Sequence, residues 1–323
     1  MICIVPHILS KSIINIVSDA SNIRLITFNY LIWAYYISKI SKWQWPVNYS
    51  LQIGFNHAID KAIKDKKVTE GGVLLVIAGM KLSKKNEMLL KATNTLKILW
   101  YTDSVSRAMG IQHQEAVFEE VWYHDGGDFE NSNHSGKKWV PYGFDSTIYF
   151  QNQSVNKDID ILFTGYLKQP QYKTRLEYLE LLMNSDLVKN NNVVAAVTTQ
   201  DLNLREKIKN SGIKYTGRLP ENEYAAYIKR AKIVINILQN DGIMPINPLF
   251  FAIPNAGSIQ IIDKRPYLNL WLVSKKHFLE TTPANFIELI QMILEDKIVL
   301  DIESARGEAK KHSFQSLLSP YLN

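Results

Sequence analysis

One cysteine, Cys3, stands among 323 residues, so the chain can form no intramolecular disulfide and no cysteine-based metal site, and it suits a reducing cytosol. Glycine and proline are sparse, at 15 and 11 residues, and neither a low-complexity tract nor a short repeat is visible, which excludes fibrous and solenoid classes. Long apolar runs are missing too. The most membrane-like stretch, Leu25 to Ser38, is fourteen residues without a charge, whereas a bilayer span takes about 20. We read it as a buried helix. The aromatics Phe28, Tyr30, Trp33, Tyr35 and Tyr36 keep open the alternative of an interfacial helix, and with it peripheral membrane contact, but no transmembrane segment is expected. Met1 to Ser10 carry neither the basic start nor the cleavage site of a signal peptide and are read as mature protein, so the expected location is cytoplasmic. Several chemistries lack their signatures: there is no glycine-lysine phosphate loop, no Gly-x-Ser-x-Gly elbow, no His-Glu-x-x-His helix, and no Gly-x-Gly-x-x-Gly turn after a predicted strand.

What is present describes a folded globular chain, 46% hydrophobic and 21% charged. Its length suits two domains of roughly 150 residues. The formal charge of +6 would attract phosphate-bearing ligands, anionic lipid or nucleic acid without choosing among them. The lysines are spread along the chain in short clusters, which reads as solvated surface.

From Leu51 onward the pattern is regular. A helical stretch through Phe55, Ala58, Ile59 and Ala62 precedes a strand at Val73 to Ala78, a helix at Ser83 to Thr95 and a strand at Lys97 to Tyr101. Short strands at Glu120 to Tyr123 and Lys138 to Val140 flank a polar stretch, Asp125 to Gly136, expected as a surface loop. Pro141 to Asn156 is the candidate linker. Beyond it the alternation restarts, with strands at Ile159 to Thr164, Asn192 to Val197, Ile213 to Thr216, Ile233 to Leu238 and Ser258 to Ile262. Helices are expected at Thr174 to Ser185, Asn203 to Ser211, Glu221 to Ala231, Pro248 to Asn255, Pro283 to Glu295 and Ile302 to Leu318. Uncharged strands alternating with helices imply parallel sheets covered on both faces. The expected class is α/β, with an N-terminal domain over 1–150 on the acceptor side, a nucleotide-binding domain over 151–323, and a final helix packing back on the first domain. Such sheets bind ligands outside the carboxyl ends of their strands, so two of them are expected to face across a cleft.

The segment Thr216-Gly217-Arg218-Leu219-Pro220, the helix carrying Tyr224 and Tyr227, and the strand ending at Asn236 are similar to the nucleotide-binding half of GT-B glycosyltransferases. Among these the chain most resembles the CgeB-like family, in which two Rossmann-like doubly wound domains are implied. Asp158 to Gly165 followed by Arg175 and Leu179 resembles that family's opening strand, glycine and downstream arginine. Leu99 to Ser104, Trp139 to Asp145 and His312-Ser313-Phe314 resemble further family segments. One departure stands out. Where the family has Arg and Phe-Glu before an Ala-Gly or Cys-Gly turn, this chain has Leu249 and Phe251-Ala252 before Ala256-Gly257, so the glutamate that the resemblance implies for the donor ribose is missing. Asn247, Asn255 or Asp241 is the expected replacement, unless the donor differs or activity is lost.

The resemblance implies a nucleoside-diphosphate sugar, UDP-type, as donor substrate, with no metal and no other cofactor. Helix N-termini and basic side chains can take the diphosphate charge. The expected donor site is Gly165, Tyr166, Arg175, Thr198, Gly217, Arg218, Tyr224, Asn236, Asn240, Asn247, Asn255, Gly257 and Ser258. Asp103 is the first candidate for general base, with helix capping as its plainer reading, and His113 and His124 beside Asp125 are the second choices. Asp158-x-Asp160 is read as the start of a strand rather than a metal-binding pair. The acceptor is open between glycan, protein and, less favoured, DNA, since no basic stripe with interleaved aromatics stands out. An inactive GT-B-like scaffold is the alternative that Leu249 and Ala252 suggest.

Overall fold

The computed structural model describes residues 1–6, 24–28, 45–65, 72–108, 110–150, 155–167, 172–240 and 242–321. The chain divides into two compact units: Met1–Tyr142 with Gly242–Pro245 and Leu318–Asn323, and Gly143–Asp241 with Ile246–Leu317.

The first unit is built on six parallel strands: β1 (Ile2–Pro6), β2 (Arg24–Phe28), β3 (Val73–Ile77), β4 (Leu96–Trp100), β5 (Glu120–Tyr123) and β6 (Lys137–Trp139). Their order is β2-β1-β3-β4-β5-β6. Helices α1 (Trp45–Ile63) and α2 (Lys84–Lys91) supply part of the cover, α2 being capped by Ser83. Phe55, Ala58, Ile59 and Ala62 of α1 share one stripe and bury against Ile2, Ile4, Leu74 and Val76. Two expectations are corrected here. The uncharged run beginning at Leu25 starts as strand β2 rather than as a helix, because Arg24 to Phe28 pair with Ile2 to Pro6; residues 29–38 of that run lie outside the described residues. Asp125 to Gly136 is not simply a loop: it opens with α3 (Gly126–Asn131), whose first two glycines are buried.

The second unit carries β7 (Ile159–Tyr166), β8 (Val193–Thr198), β9 (Lys214–Tyr215), β10 (Ala231–Asn236), β11 (Ile259–Asp263) and β12 (Leu279–Thr281). All pairings are parallel, in the order β12-β11-β10-β7-β8-β9. Its helices are α4 (Ser146–Tyr149), α5 (Lys173–Met183), α6 (Leu187–Asn190), α7 (Leu202–Asn210), α8 (Glu221–Arg230), α9 (Leu249–Asn255), α10 (Phe286–Leu294), α11 (Ile302–Lys310) and α12 (Phe314–Leu318). The strands are apolar on both faces because helices cover both. Ile161, Phe163, Ile233 and Ile235 pack under Tyr178, Leu179 and Leu182 of α5 and Phe286, Ile290 and Ile293 of α10. Tyr178 and Phe286 meet edge to face with centroids 4.9 Å apart. The expected single helix from Ile302 to Leu318 is two, since Ser313 leaves the helix to bridge Phe144 and the Phe314 amide donates to the Phe144 carbonyl at 2.9 Å. Asp158 and Asp160 sit where β7 begins, paired with Arg230 and Lys232.

His312 packs into this unit as a neutral ring. It stacks on Phe251 at 4.2 Å and meets the Trp271 edge at 5.0 Å. Burial pushes its pKa down to about 4; nearby Glu308 opposes the shift and Lys311 adds to it. The folded state therefore takes up this proton later than the unfolded chain as pH falls. The contribution is whole above pH 6.5 and is lost between 6.5 and about 4, with a slope of at most about 1.4 kcal/mol per pH unit. Urea midpoints measured from pH 7 to 4 are expected to fall more steeply in the wild type than in His312→Phe; parallel curves would refute the assignment.

Candidate functional site

The strand order of the second unit is that of a dinucleotide-binding sheet. Counted from β7, it reads 6-5-4-1-2-3, and the chain leaves in opposite directions on either side of the β7–β10 pair. That seam is the topological switch point, where a crevice opens outside the carboxyl ends of the strands. β7 ends at Tyr166 and β10 at Asn236.

A buried cation occupies the seam. Arg175, on α5, is 6% exposed. Its Nη1 donates to the Tyr166 carbonyl at 2.8 Å, and its Nε and Nη2 donate to the Ile237 carbonyl at 2.9 and 2.5 Å. One guanidinium thus ties the end of β7 to the end of β10, and the Tyr172 ring lies 4.9 Å from it. Burial lowers its pKa, and Tyr172, Tyr224 and Asp263 pull the other way. Asp263 itself is bound to Arg265 at 2.7 Å, so no carboxylate among the described residues forms an ion pair with Arg175. Gly165 has φ +134°, and a β-carbon there would lie 2.7 Å from the Arg175 side chain. The glycine is needed for the arginine as much as for any ligand.

Beside the seam, a hollow of about 160 Å³ is lined by Gly165, Thr198, Gly217, Arg218 and Tyr224. It adjoins a more open one of about 440 Å³ lined by Arg218, Leu219, Pro220, Glu221 and Tyr224. Gly217 turns the chain at φ +72°. The Tyr224 phenol is pushed up to about 12 by burial, partly offset by its hydrogen bond with the Thr164 side chain and by Arg175. Thr164 in turn donates to the Ile235 carbonyl at 2.9 Å. Seven of the expected donor residues, Gly165, Tyr166, Arg175, Thr198, Gly217, Arg218 and Tyr224, therefore gather at the carboxyl edge of β7, β8 and β9.

Three of the asparagines are engaged with other groups of the protein. Asn236 and Asn247 exchange side-chain hydrogen bonds at 3.0 and 2.7 Å, and the Asn247 carbonyl oxygen also accepts the Phe250 amide at the start of α9. Asn240 donates to Thr174 and accepts from Arg265. The structure does not bring the remaining three to that edge. Asn255, Gly257 and Ser258 lie where a helix returns to the start of a strand, at the amino edge of the sheet. There Lys157 Nζ donates to the Ala231 and Gly257 carbonyls and to Ser258 Oγ. In parallel sheets successive turns alternate edges, so a turn that ends a helix cannot join one that begins it. Ala252 is fully buried.

In the first unit, Asp103 follows β4 but its carboxylate is engaged, with Oδ2 2.6 Å from Arg107 and Oδ1 accepting the Ser104 amide. His113 is exposed on the 3-10 segment Ile111–Val117. His124 is buried; its Nδ1 accepts the Tyr142 amide at 3.1 Å, and burial lowers its pKa against the pull of Asp103 and Asp125. The sequence left Asp125 as an adjunct of His124, yet it organises this edge. It accepts the Gly127 amide at 2.8 Å and the Met244 amide at 3.2 Å, while the Gly126 amide donates to the Met244 carbonyl. Among the described residues no cluster of His, Cys, Asp or Glu could hold a metal ion, and no helix is long and apolar enough to cross a membrane.

Solved structures with the same arrangement cover essentially the whole chain. HepE from Anabaena, crystallised in complex with UDP, superposes with a TM-score of 0.58 at 12% identity over 100% of this chain and 95% of that one. A glycosyltransferase from Rickettsia africae gives 0.59 at 12% identity over 99% and 96%. The lipopolysaccharide outer core galactosyltransferase WaaB, in its apo form, gives 0.59 at 10% identity over 99% and 97%. The architecture is GT-B. At these identities the likeness concerns the fold of two Rossmann-like domains. No protein-family model matches the sequence, and no curated protein sequence matches it. Within this GT-B frame, the Gly165–Arg175 contact is the part of the site that can be tested without a ligand. Gly165→Ala is expected to cost about 2–4 kcal/mol in urea denaturation through strain and collision. In a double-mutant cycle with Arg175→Ala the losses should fall well short of additive, because removing the guanidinium frees the space; additive losses would show that the two do not interact.

Proposed function

We propose that this chain is a hexosyltransferase-type glycosyltransferase that moves a sugar from a nucleoside-diphosphate sugar, UDP-type, to an acceptor hydroxyl, and that it is a relative of the CgeB-like enzymes. The observation that carries this is the buried Arg175 cation, balanced by carbonyls rather than by a carboxylate, at the switch point of a dinucleotide-ordered sheet. In the transfer, the bond between the anomeric carbon and the diphosphate breaks, and the departing oxygen keeps the electron pair. The acceptor oxygen bonds to that carbon and gives up its proton. Charge grows on the diphosphate, so a fixed cation in a site poor in water lowers the barrier more than one in solution would. Arg175 supplies that field, exposed Arg218 can reach the ligand directly, and the glycines at 165 and 217 let backbone approach it. No metal is required in this scheme. That HepE is crystallised with UDP supports the choice of nucleotide.

A second reading has its own observation. Leu249 and fully buried Ala252 stand where the resemblance implies charged residues, which favours a binding protein without turnover.

Titration with uridine, guanosine and thymidine diphosphates in EDTA is expected to give saturable binding, tightest for UDP and weakened about tenfold or more by Arg218→Ala, in line with loss of a charged hydrogen bond. Silence from all three nucleotides removes the proposal. Release of UDP from UDP-sugars with an acceptor panel then separates a transferase from a scaffold.

A further inference from the structure

Helices α1 and α2 of the first unit lie side by side on one face of its sheet. Phe55, Ile59 and Ala62 of α1 and Leu90 of α2 bury into the same core. Between the helices, Asn56 Nδ2 donates to the Lys81 carbonyl at 3.0 Å, its Oδ1 accepts the Ser83 amide at 2.7 Å, and Asn86 Nδ2 donates to the Asn56 carbonyl at 2.9 Å. Their outer sides therefore make one surface, and it combines two chemistries. The first is positive charge. Each acid along the two helices is held by a base: Asp60 by Lys85 at 3.3 Å, Glu87 by Lys91 at 2.7 Å, and Asp65 by Arg24. Lys61, Lys64, Lys81 and Lys84 are exposed, and no acid among the described residues pairs with them. The second is apolar. Tyr49 and Ile53, one turn apart on α1, are 55% and 46% exposed, and Met88 and Leu89 on α2 are 66% and 38% exposed. Single apolar side chains left in water are ordinary; four among uncancelled lysines on one pair of helices call for a partner.

An anionic bilayer surface takes both chemistries. Its headgroup phosphates attract ammonium groups, lysine stems reach past apolar contacts to keep the charge in water, and apolar side chains enter the acyl boundary. A nucleic acid would meet the charge, but its phosphates give Ile53, Met88 and Leu89 nothing to enter. Protein interfaces are depleted of lysine. In the sequence, the uncharged run that precedes α1 carries Tyr30, Trp33, Tyr35 and Tyr36, residue types that settle at bilayer interfaces.

We infer that the outer face of α1 and α2 docks the first unit on an anionic lipid bilayer, with Ile53 and Met88 entering it and Lys61, Lys64, Lys81 and Lys84 meeting lipid phosphates. The attachment is peripheral, through helix sides rather than through a spanning helix. It makes no use of the donor site and is tested without a nucleotide, so it stands or falls apart from the sugar-transfer reading.

The test is cosedimentation of the full chain with vesicles of phosphatidylcholine alone and of equal parts phosphatidylcholine and phosphatidylglycerol. The chain is expected to bind the second and not the first, and added salt should weaken the binding. Lys64→Gln with Lys84→Gln is expected to lower the affinity about 10- to 30-fold, at about fivefold per lysine. Ile53→Ser with Met88→Ser should lower it about tenfold or more and leave the salt dependence as it was, which separates insertion from charge attraction alone. All four positions are exposed, so melting temperatures should hold and serve as the folding control. Failure to sediment with the anionic vesicles, or binding unchanged in either double variant, overturns the proposal. So does tighter binding to duplex DNA than to those vesicles, lost with the same lysines, which would make the face a nucleic-acid surface.

Discussion

A guanidinium buried between two strand ends is the constraint from which the second unit's carboxyl edge follows. Arg175 is buried, so its charge must be met by acceptors of the protein, and it is met by the Tyr166 and Ile237 carbonyls. A lysine would not serve. Its ammonium is a point charge, whereas the planar fork of arginine reaches two carbonyls that diverge from the seam. The cost of that burial is tolerable because carbonyl dipoles satisfy the donors, and because α5 brings Tyr172 against the cation. Gly165 then has no freedom to be anything larger. Thr164 and Tyr224, hydrogen-bonded to each other beside it, complete a wall whose members all sit within two residues of a strand end or in the first turn and a half of a helix.

The carboxyl edge of the first unit solves the converse problem with an anion. Asp125 is 1% exposed and is satisfied by main-chain amides, those of Gly127 and Met244. The chain around it is shaped accordingly. Gly242, at φ +89°, leaves no room for a β-carbon against Asp125 Oδ2, Gly127 packs on Ile243, and Gly126 packs on the Trp139 ring. Both edges thus combine one buried charge with glycines that let backbone close around it. Among the described residues neither charge is neutralised by an ion pair, so each leaves a local field that its neighbours do not cancel.

Much of this was legible from residues alone. Strands β3, β4, β7, β8, β10 and β11 read as apolar runs bounded by glycine or polar residues, because a parallel sheet covered on both faces has no polar side to interrupt them. Strand β2 was not legible: its five residues merge into an uncharged aromatic run, so the strand period is lost in a longer apolar one. Strand β12 is three residues long, too short for any period. The site was readable to the extent that turns after strands carry Gly165, Gly217 and Arg218. The placement of Gly257 and Ser258 at the opposite edge was not legible, because a glycine-serine turn looks the same at either edge. Which edge it occupies depends on whether a helix or a strand precedes it, and here α9 does.

The missing acid at residue 252 follows from how α9 is packed. Every residue from Phe250 to Asn255 is buried, Phe250 and Phe251 meet edge to face at 5.1 Å, and Phe251 stacks on His312. A carboxylate at position 252 would be taken out of water, and unless a donor met each oxygen it would be held as an unpaired buried charge at a cost of several kcal/mol. The Asn236–Asn247 pair already ties the end of β10 to the start of that helix. Helix α9 is thus committed to packing, whereas other helices of this unit keep a wet face. Helix α8 does so: Glu221 to Glu223 are exposed while Ala225 and Ile228 are buried, so its first turn stays in water above the core beneath.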